Sequence, residues 1–188
     1  MFETPHLENV TRPETLRYTY RRAGPAGFTD TVAVHVQQIN DDGTKDLTFD
    51  YLTGPRRVMF PEVDHFRGNP LLMLVLDRDV AAMKDAIGVS ASYFRNRIRE
   101  SLVAAASLAD TSAQVQGEAS PARVVTVQPF LHEARLERIA SLQAKSYTFV
   151  LADAVPGMIA EIRIETPEDQ ALHAPAMSEQ ITFAGVEP

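Results

Sequence analysis

Glu62, Asp64, His65 and Arg67 stand within six residues of one another, and a histidine steered by a carboxylate can act as a general base. They fall in a segment bounded by Pro61 and Gly68 that reads as a loop, where neighbours in sequence rarely meet in space. A solvated acidic loop at a helix entry is the competing reading. The five histidines, at 6, 35, 65, 132 and 173, never share a metal-ligand spacing, so no metal site is expected. Ser90 and Ser92 lack the G-x-S-x-G setting of an activated serine. The glycines at 24, 27 and 54 read as turn residues and form no phosphate loop. No catalytic residue and no cofactor are expected from these patterns.

The densest polar and aromatic cluster is Tyr93-Phe94-Arg95-Asn96-Arg97-Ile98-Arg99. At helical spacing Arg95 and Arg99 share one face, and Phe94 and Ile98 share another. An arginine face beside an apolar one can grip an anionic head group or a partner carboxylate. The same arginines can equally pair with Glu100, Asp85 or strand carboxylates.

The elements that would position these residues are clear from periodicity. Asn69 can cap, Pro70 suits the first helical position, and Leu72, Leu76, Val80, Met83 and Ile87 recur at helical spacing. Gly88 ends that helix and Ser90 can cap a second, whose stripe is Phe94, Ile98, Leu102 and Ala105. The hairpin, residues 69–107, interrupts a chain that otherwise alternates with period two. Leu16, Tyr18 and Tyr20 alternate with Arg17, Thr19 and Arg21, and Val32, Val34 and Val36 follow after a Gly24–Gly27 turn. Asp41-Asp42-Gly43 turns into Leu47, Phe49 and Tyr51, and a short fourth strand is expected at Arg57 to Phe60.

Beyond the hairpin, strands are expected at 111–116 and 123–128, with a turn from Gly117 to Pro121. Tyr147, Phe149 and Leu151 pair through a Val155-Pro156-Gly157 turn with Met158, Ala160, Ile162 and Ile164, and Ile181 and Phe183 make a last strand. His132 to Leu142 fits either a short amphipathic helix, with Leu131, Arg135, Ile139 and Leu142 on its inner face, or an irregular strand. Residues 1–13, punctuated by Pro5 and Pro13, read as an extended lead-in. Met59, Met73, Met83 and Met158 are expected to face inward.

Composition bounds the partners. The 188 residues suffice for one domain with a sizeable core, and no linker or repeat divides them. A net charge of −7 argues against nucleic acid. Cysteine is absent, which excludes disulfide and thiolate chemistry. No apolar run approaches the roughly 18 residues of a membrane span. Residues Phe2 to Pro13 lack the basic-then-apolar order of a signal peptide, leaving a cytoplasmic protein or an exported one without its leader.

The segments Leu16-Arg17-Tyr18-Thr19-Tyr20, Asp46 to Gly54, Tyr93 to Arg99, and Tyr147 to Leu151 running into Val155-Pro156-Gly157 carry a resemblance. Meander, helix pair and second meander, over residues 14–186, resemble the half-barrel of bacterial Lol-type lipoprotein carriers and receptors. They are similar too to uncharacterised proteobacterial envelope proteins of that fold. The resemblance implies a periplasmic or otherwise exported protein that shields acyl chains. It carries no functional residue over.

The resulting expectation is a mainly β (α+β) fold, a curved antiparallel sheet or half-barrel covered by a two-helix hairpin. Leu72, Leu76, Met83, Phe94 and Ile98 would face Tyr18, Tyr20, Phe49 and Phe149 across a space for a lipid or other apolar ligand. Arg95 or Arg99 would hold a head group at its rim. Two other readings stay open. One is an envelope interaction module that docks another protein through a sheet edge or the arginine face. The other is a small enzyme centred on Asp64 and His65.

Overall fold

The structure, a computed structural model, describes residues 6–104 and 107–188. Strands β1 (Glu14–Ala23), β2 (Phe28–Ile39), β3 (Lys45–Tyr51) and β4 (Val63–Phe66) precede helices α1 (Pro70–Ile87) and α2 (Ala91–Ala104). Strands β5 (Ser107–Val115), β6 (Glu118–Val127), β7 (Ser146–Leu151), β8 (Ile159–Thr166) and β9 (Met177–Glu187) follow. All nine form one antiparallel sheet in the order β4-β3-β2-β1-β9-β8-β7-β6-β5. The sheet is open, curved and not a closed barrel. Two meanders are thus joined through the first and last strands of the chain.

Period-two alternation places the sheet's inner face. Leu16, Tyr18 and Tyr20 of β1 are buried while Arg17, Thr19 and Arg21 are exposed, and β3 buries Leu47, Phe49 and Tyr51 in the same way. Register shifts between Arg17 and Tyr18 against β9, and between Val36 and Gln38 against β3, mark bulges that bend the strands. The curl brings β5 within 8 Å of β8 and β9.

Since β4 and β5 are the two sheet edges, the hairpin between them has to cross the face. Helix α1 does so, and it buries residues around most of its circumference, from Leu71 to Met83. Its start follows the sequence signals, with the Asn69 side chain accepting from Leu72 N at 2.9 Å and Pro70 opening the helix. Gly88, at φ 76°, ends it in the left-handed region. Helix α2 buries only Phe94 and Ile98, one i, i+4 pair.

Two ion pairs, one buried and one half-buried, fix α1 against the sheet. Lys145 Nζ and Tyr147 Oη both donate to Asp79, at 2.6 Å each. Arg78 pairs with Glu179 of β9, and its guanidinium lies 5.7 and 5.6 Å from the rings of Tyr20 and Tyr51. Adjacent residues of one helix thereby reach β1, β3, β7 and β9.

Several local expectations are corrected. Prolines 55 and 61 flank the expected fourth strand, where only Val58 bridges to Tyr51; the paired segment is Val63–Phe66, in what reads as loop. The β5–β6 turn is the pair Gln116-Gly117, both at positive φ, and Pro121 lies inside β6. Residues 132–142 are neither one helix nor a strand: a 3-10 turn at Ala134–Leu136 precedes a one-turn helix at Ala140–Gln143, and Leu131 points to solvent. Met59 is exposed as well. The described part of the lead-in is a turn whose Leu7 and Val10 are buried, and its Asn9 brackets the 155–157 turn through Val155 O and Gly157 N. Pro5 and Ala105 lie outside the described residues.

All five tyrosines ionise above the ordinary value of 10, burial being the leading cause, and Tyr93 is pushed up to about 12. The folded state therefore holds phenolic protons that the unfolded state releases near pH 10, so stability falls as pH rises beyond that point. Spectrophotometric titration is expected to show little tyrosinate at pH 10, with the rest appearing only as the near-ultraviolet dichroism is lost. Replacing Asp79 by Ala strands the Lys145 ammonium in the interior. A loss of about 3–5 kcal/mol in urea unfolding is expected, largely recovered in an Asp79→Leu, Lys145→Met double variant.

Candidate functional site

A groove of about 540 Å³ runs between α1 and α2. Leu72, Met73, Leu76 and Val80 of α1 and Ile98 of α2 make its apolar floor. Arg95, Asn96 and Arg99 of α2 rise on one side, Asp77 on the other, and Phe66, Arg67 and Asn69 close one end. The helical stripes account for this. Residues 72, 76 and 80 recur every four positions on one flank of α1, and the 95, 99 row of α2 leans over them.

The groove's electrostatics come from its rim. Arg95 reaches across to Asp77 at 3.1 Å, tying the two helices together. Arg67 is held by Asp42 of the β2–β3 turn at 3.1 Å. Arg97 faces away, toward Glu100 at 2.8 Å and toward Glu133, which also accepts from the Tyr93 hydroxyl. Arg135 lies 5.3 Å from the Tyr93 ring. One edge of α2 is therefore anchored to the 130–137 segment, and the other overhangs the groove.

Of the residues expected to line a ligand space, Leu72, Leu76, Ile98, Arg95 and Arg99 meet in this groove. Tyr18, Tyr20, Phe49, Phe94 and Phe149 are packed in the core: Tyr18 edges Phe183, Tyr20 edges Tyr51, Phe49 edges Phe60, and Phe94 edges Phe130. Met83 lies round the helix, at a second cavity. Met73, Val80, Asp77 and Phe66 join the groove without having been singled out for it. Val80 belongs to the α1 stripe and Met73 was expected only to face inward, whereas Phe66 arrives through the β4 pairing.

The acidic loop does not assemble a dyad. His65 is bonded to β3 and its turn, its backbone N–H donating to Asp46 at 2.9 Å and its Nδ1 lying 3.2 Å from Thr44 Oγ1. Arg67 goes to Asp42. A hydroxyl–imidazole–carboxylate chain does occur elsewhere, with Thr15 Oγ1 3.0 Å from His35 Nδ1 and His35 Nε2 2.9 Å from Asp50. It runs across β1, β2 and β3 on the outer face, where Arg57 shares Asp50 and neither cavity reaches it. Among the described residues no three His, Asp or Glu side chains converge to hold a metal ion.

No family model and no curated protein matches the sequence. Among solved structures the chain is similar to MucB, at 14% identity and a TM-score of 0.46, over 97% of this chain and 56% of that one. It is also similar to the MucA/MucB complex of Pseudomonas aeruginosa, at 12% identity and a TM-score of 0.42, over 97% and 54%. A third likeness is to the Mycobacterium tuberculosis lipoprotein LppX, at 11% identity and a TM-score of 0.38, over 97% and 91%. The chain spans about half the length of the first two. None of these likenesses assigns a role to a residue of this chain.

Asn69 links the groove to the rest of the molecule. Besides capping α1, its Nδ2 donates to Gly157 O at 2.8 Å and lies 3.2 Å from His6 Nδ1, all within the interior. Asn69→Ala removes the cap, leaving the buried Leu72 N–H without its acceptor, and deletes one of the two hydrogen bonds at Gly157 O. The expected loss is about 2–4 kcal/mol, read as a lower urea midpoint.

Proposed function

We propose that the protein is a non-enzymatic, exported binder of an apolar ligand, a lipid or lipoprotein acyl chain, acting as a single domain. The observation that carries this is the groove itself, an apolar floor edged by guanidinium groups. Its volume falls in the range of about 300–1,000 Å³ usual for small-molecule sites. Hydrocarbon would lie on Leu72, Met73, Leu76, Val80 and Ile98, and an anionic head group would sit at Arg95 and Arg99. A guanidinium pairs with phosphate or carboxylate oxygens in two-pronged fashion, which suits that rim. No helix among the described residues is long and apolar enough to cross a membrane.

A second reading, docking of an envelope protein, is favoured by one feature. The depression continues past Arg99 to Val103, whose side chain is 81% exposed, on a helix that buries only two residues. In that reading the groove receives an apolar side chain of the partner, and Arg95 and Arg99 meet its carboxylates.

Native mass spectrometry separates the two. After incubation with phosphatidylethanolamine–phosphatidylglycerol vesicles, one lipid-sized adduct per chain is expected. Met73 is half-buried in the floor, so Met73→Asp should keep the fold while weakening lipid binding at least tenfold. A chain that stays ligand-free, or a Met73→Asp variant that binds as well as the parent, would overturn the lipid reading. Loss of partner capture in an Arg95→Glu, Arg99→Glu variant of such a ligand-free chain would then establish docking.

A further inference from the structure

The second cavity, about 420 Å³, lies round α1 from the groove, between the C-terminal half of that helix, the ends of β1, β8 and β9, and the 139–145 segment. Three cationic side chains face two carboxylates around it, Arg22, Arg78 and Lys145 against Asp79 and Glu179. Lys145 and Asp79 satisfy each other at 2.6 Å. Arg22 stands directly opposite Glu179 in the β1–β9 register, yet that carboxylate is taken by Arg78. Arg22 keeps one hydrogen-bond acceptor among the described residues, the thioether sulfur of Met177 at 3.0 Å. A thioether is a weak acceptor and carries no charge.

Unpaired donors gather around this point. The Nε atoms of Arg22 and Arg78 are shut off from solvent without an acceptor, and Arg78 lies against the rings of Tyr20 and Tyr51. Buried donors left in this state cost free energy, and an anion would match both the donors and the surplus positive charge. Apart from Ser141 and Thr166 the remaining wall is apolar, including Met83, Ile139 and Leu172. A bare inorganic ion would leave that wall unused.

We infer that this cavity is a second binding site, independent of the α1–α2 groove, for an alkyl carboxylate. The carboxylate pairs with Arg22, with Arg78 behind it, and the chain runs along Met83, Ile139 and Leu172. A carboxylate matches the planar fork of a guanidinium, and one negative charge neutralises the one cation left over.

Isothermal titration of the intact chain with decanoate and with 1-decanol tests this. Carried out on a Met73→Asp chain, in which the groove no longer takes hydrocarbon, it is expected to show saturable 1:1 binding of decanoate, at least tenfold tighter than decanol. In that background Arg22→Gln should remove the preference and Arg22→Lys should lower it. Absence of decanoate binding, equal affinity for the alcohol, or full retention in Arg22→Gln would overturn the site. The comparison of acid with alcohol in the Met73→Asp chain, whose groove no longer takes hydrocarbon, decides the matter even if Arg22→Gln fails to fold. Because Met73→Asp separates the two sites, failure of the groove reading leaves this result standing.

Discussion

Arg78 and Asp79 put opposite charges side by side under α1, and each finds its counter-charge on a different part of the sheet, Glu179 on β9 and Lys145 next to β7. Withdrawing these four charged groups from water, Asp79 and Lys145 fully and Arg78 and Glu179 in part, is unfavourable unless each is matched at short range and hydrogen bonded. Few placements of α1 meet that condition at once. A shift of one residue would set Asp79 against Glu179 in one direction, or Arg78 against Lys145 in the other. The helix is therefore fixed in register as well as in depth, and everything built on it inherits that placement.

The groove and the second cavity are both consequences. With residues 78 and 79 turned into the sheet, Leu72, Leu76 and Val80 are left along the flank where α2 returns. Helix α2 contributes little to the core beyond Phe94 and Ile98, so it bridges over α1 and leaves space beneath its arginine row. On the other flank the same pairing consumes the one carboxylate that Arg22 faces across β9. One helix orientation thus creates an apolar trough with a cationic rim and a cavity with an unmatched cation.

Much of the architecture was legible in the sequence because it is governed by near neighbours. Alternation in β1, β2, β3, β7 and β8 marks the half-buried strands, and Asn69-Pro70 and Gly88 mark the limits of α1. Where long-range pairing competes with local pattern, the reading failed. Val63–Phe66 became a strand only because β3 offered it an edge, and Leu131 to Leu142 broke into short turns as Phe130, Leu136 and Leu142 were each drawn into the core. Five of the expected ligand-lining residues do line one groove, since Leu72, Leu76, Ile98, Arg95 and Arg99 all lie on the two facing helices. The strand aromatics were assigned to the same space because alternation shows that a side chain points inward. It does not show whether open space or another ring meets it there.

By itself the sequence determined the inventory: which segments are strands, β4 excepted, where the helix hairpin begins, which faces are apolar, and that arginines gather on α2. These follow from dihedral preference, capping and periodicity, which act over a few residues. The tertiary structure alone decided the joining of β1 to β9, the crossing of α1 between the sheet edges, and the partners of Arg22, Arg78, Asp79 and Lys145. Those contacts link residues 66 to 172 positions apart, from Asp79–Lys145 to Thr15–Glu187. Their geometry is set by sheet register and curvature, and neither is written in the spacing of any local segment.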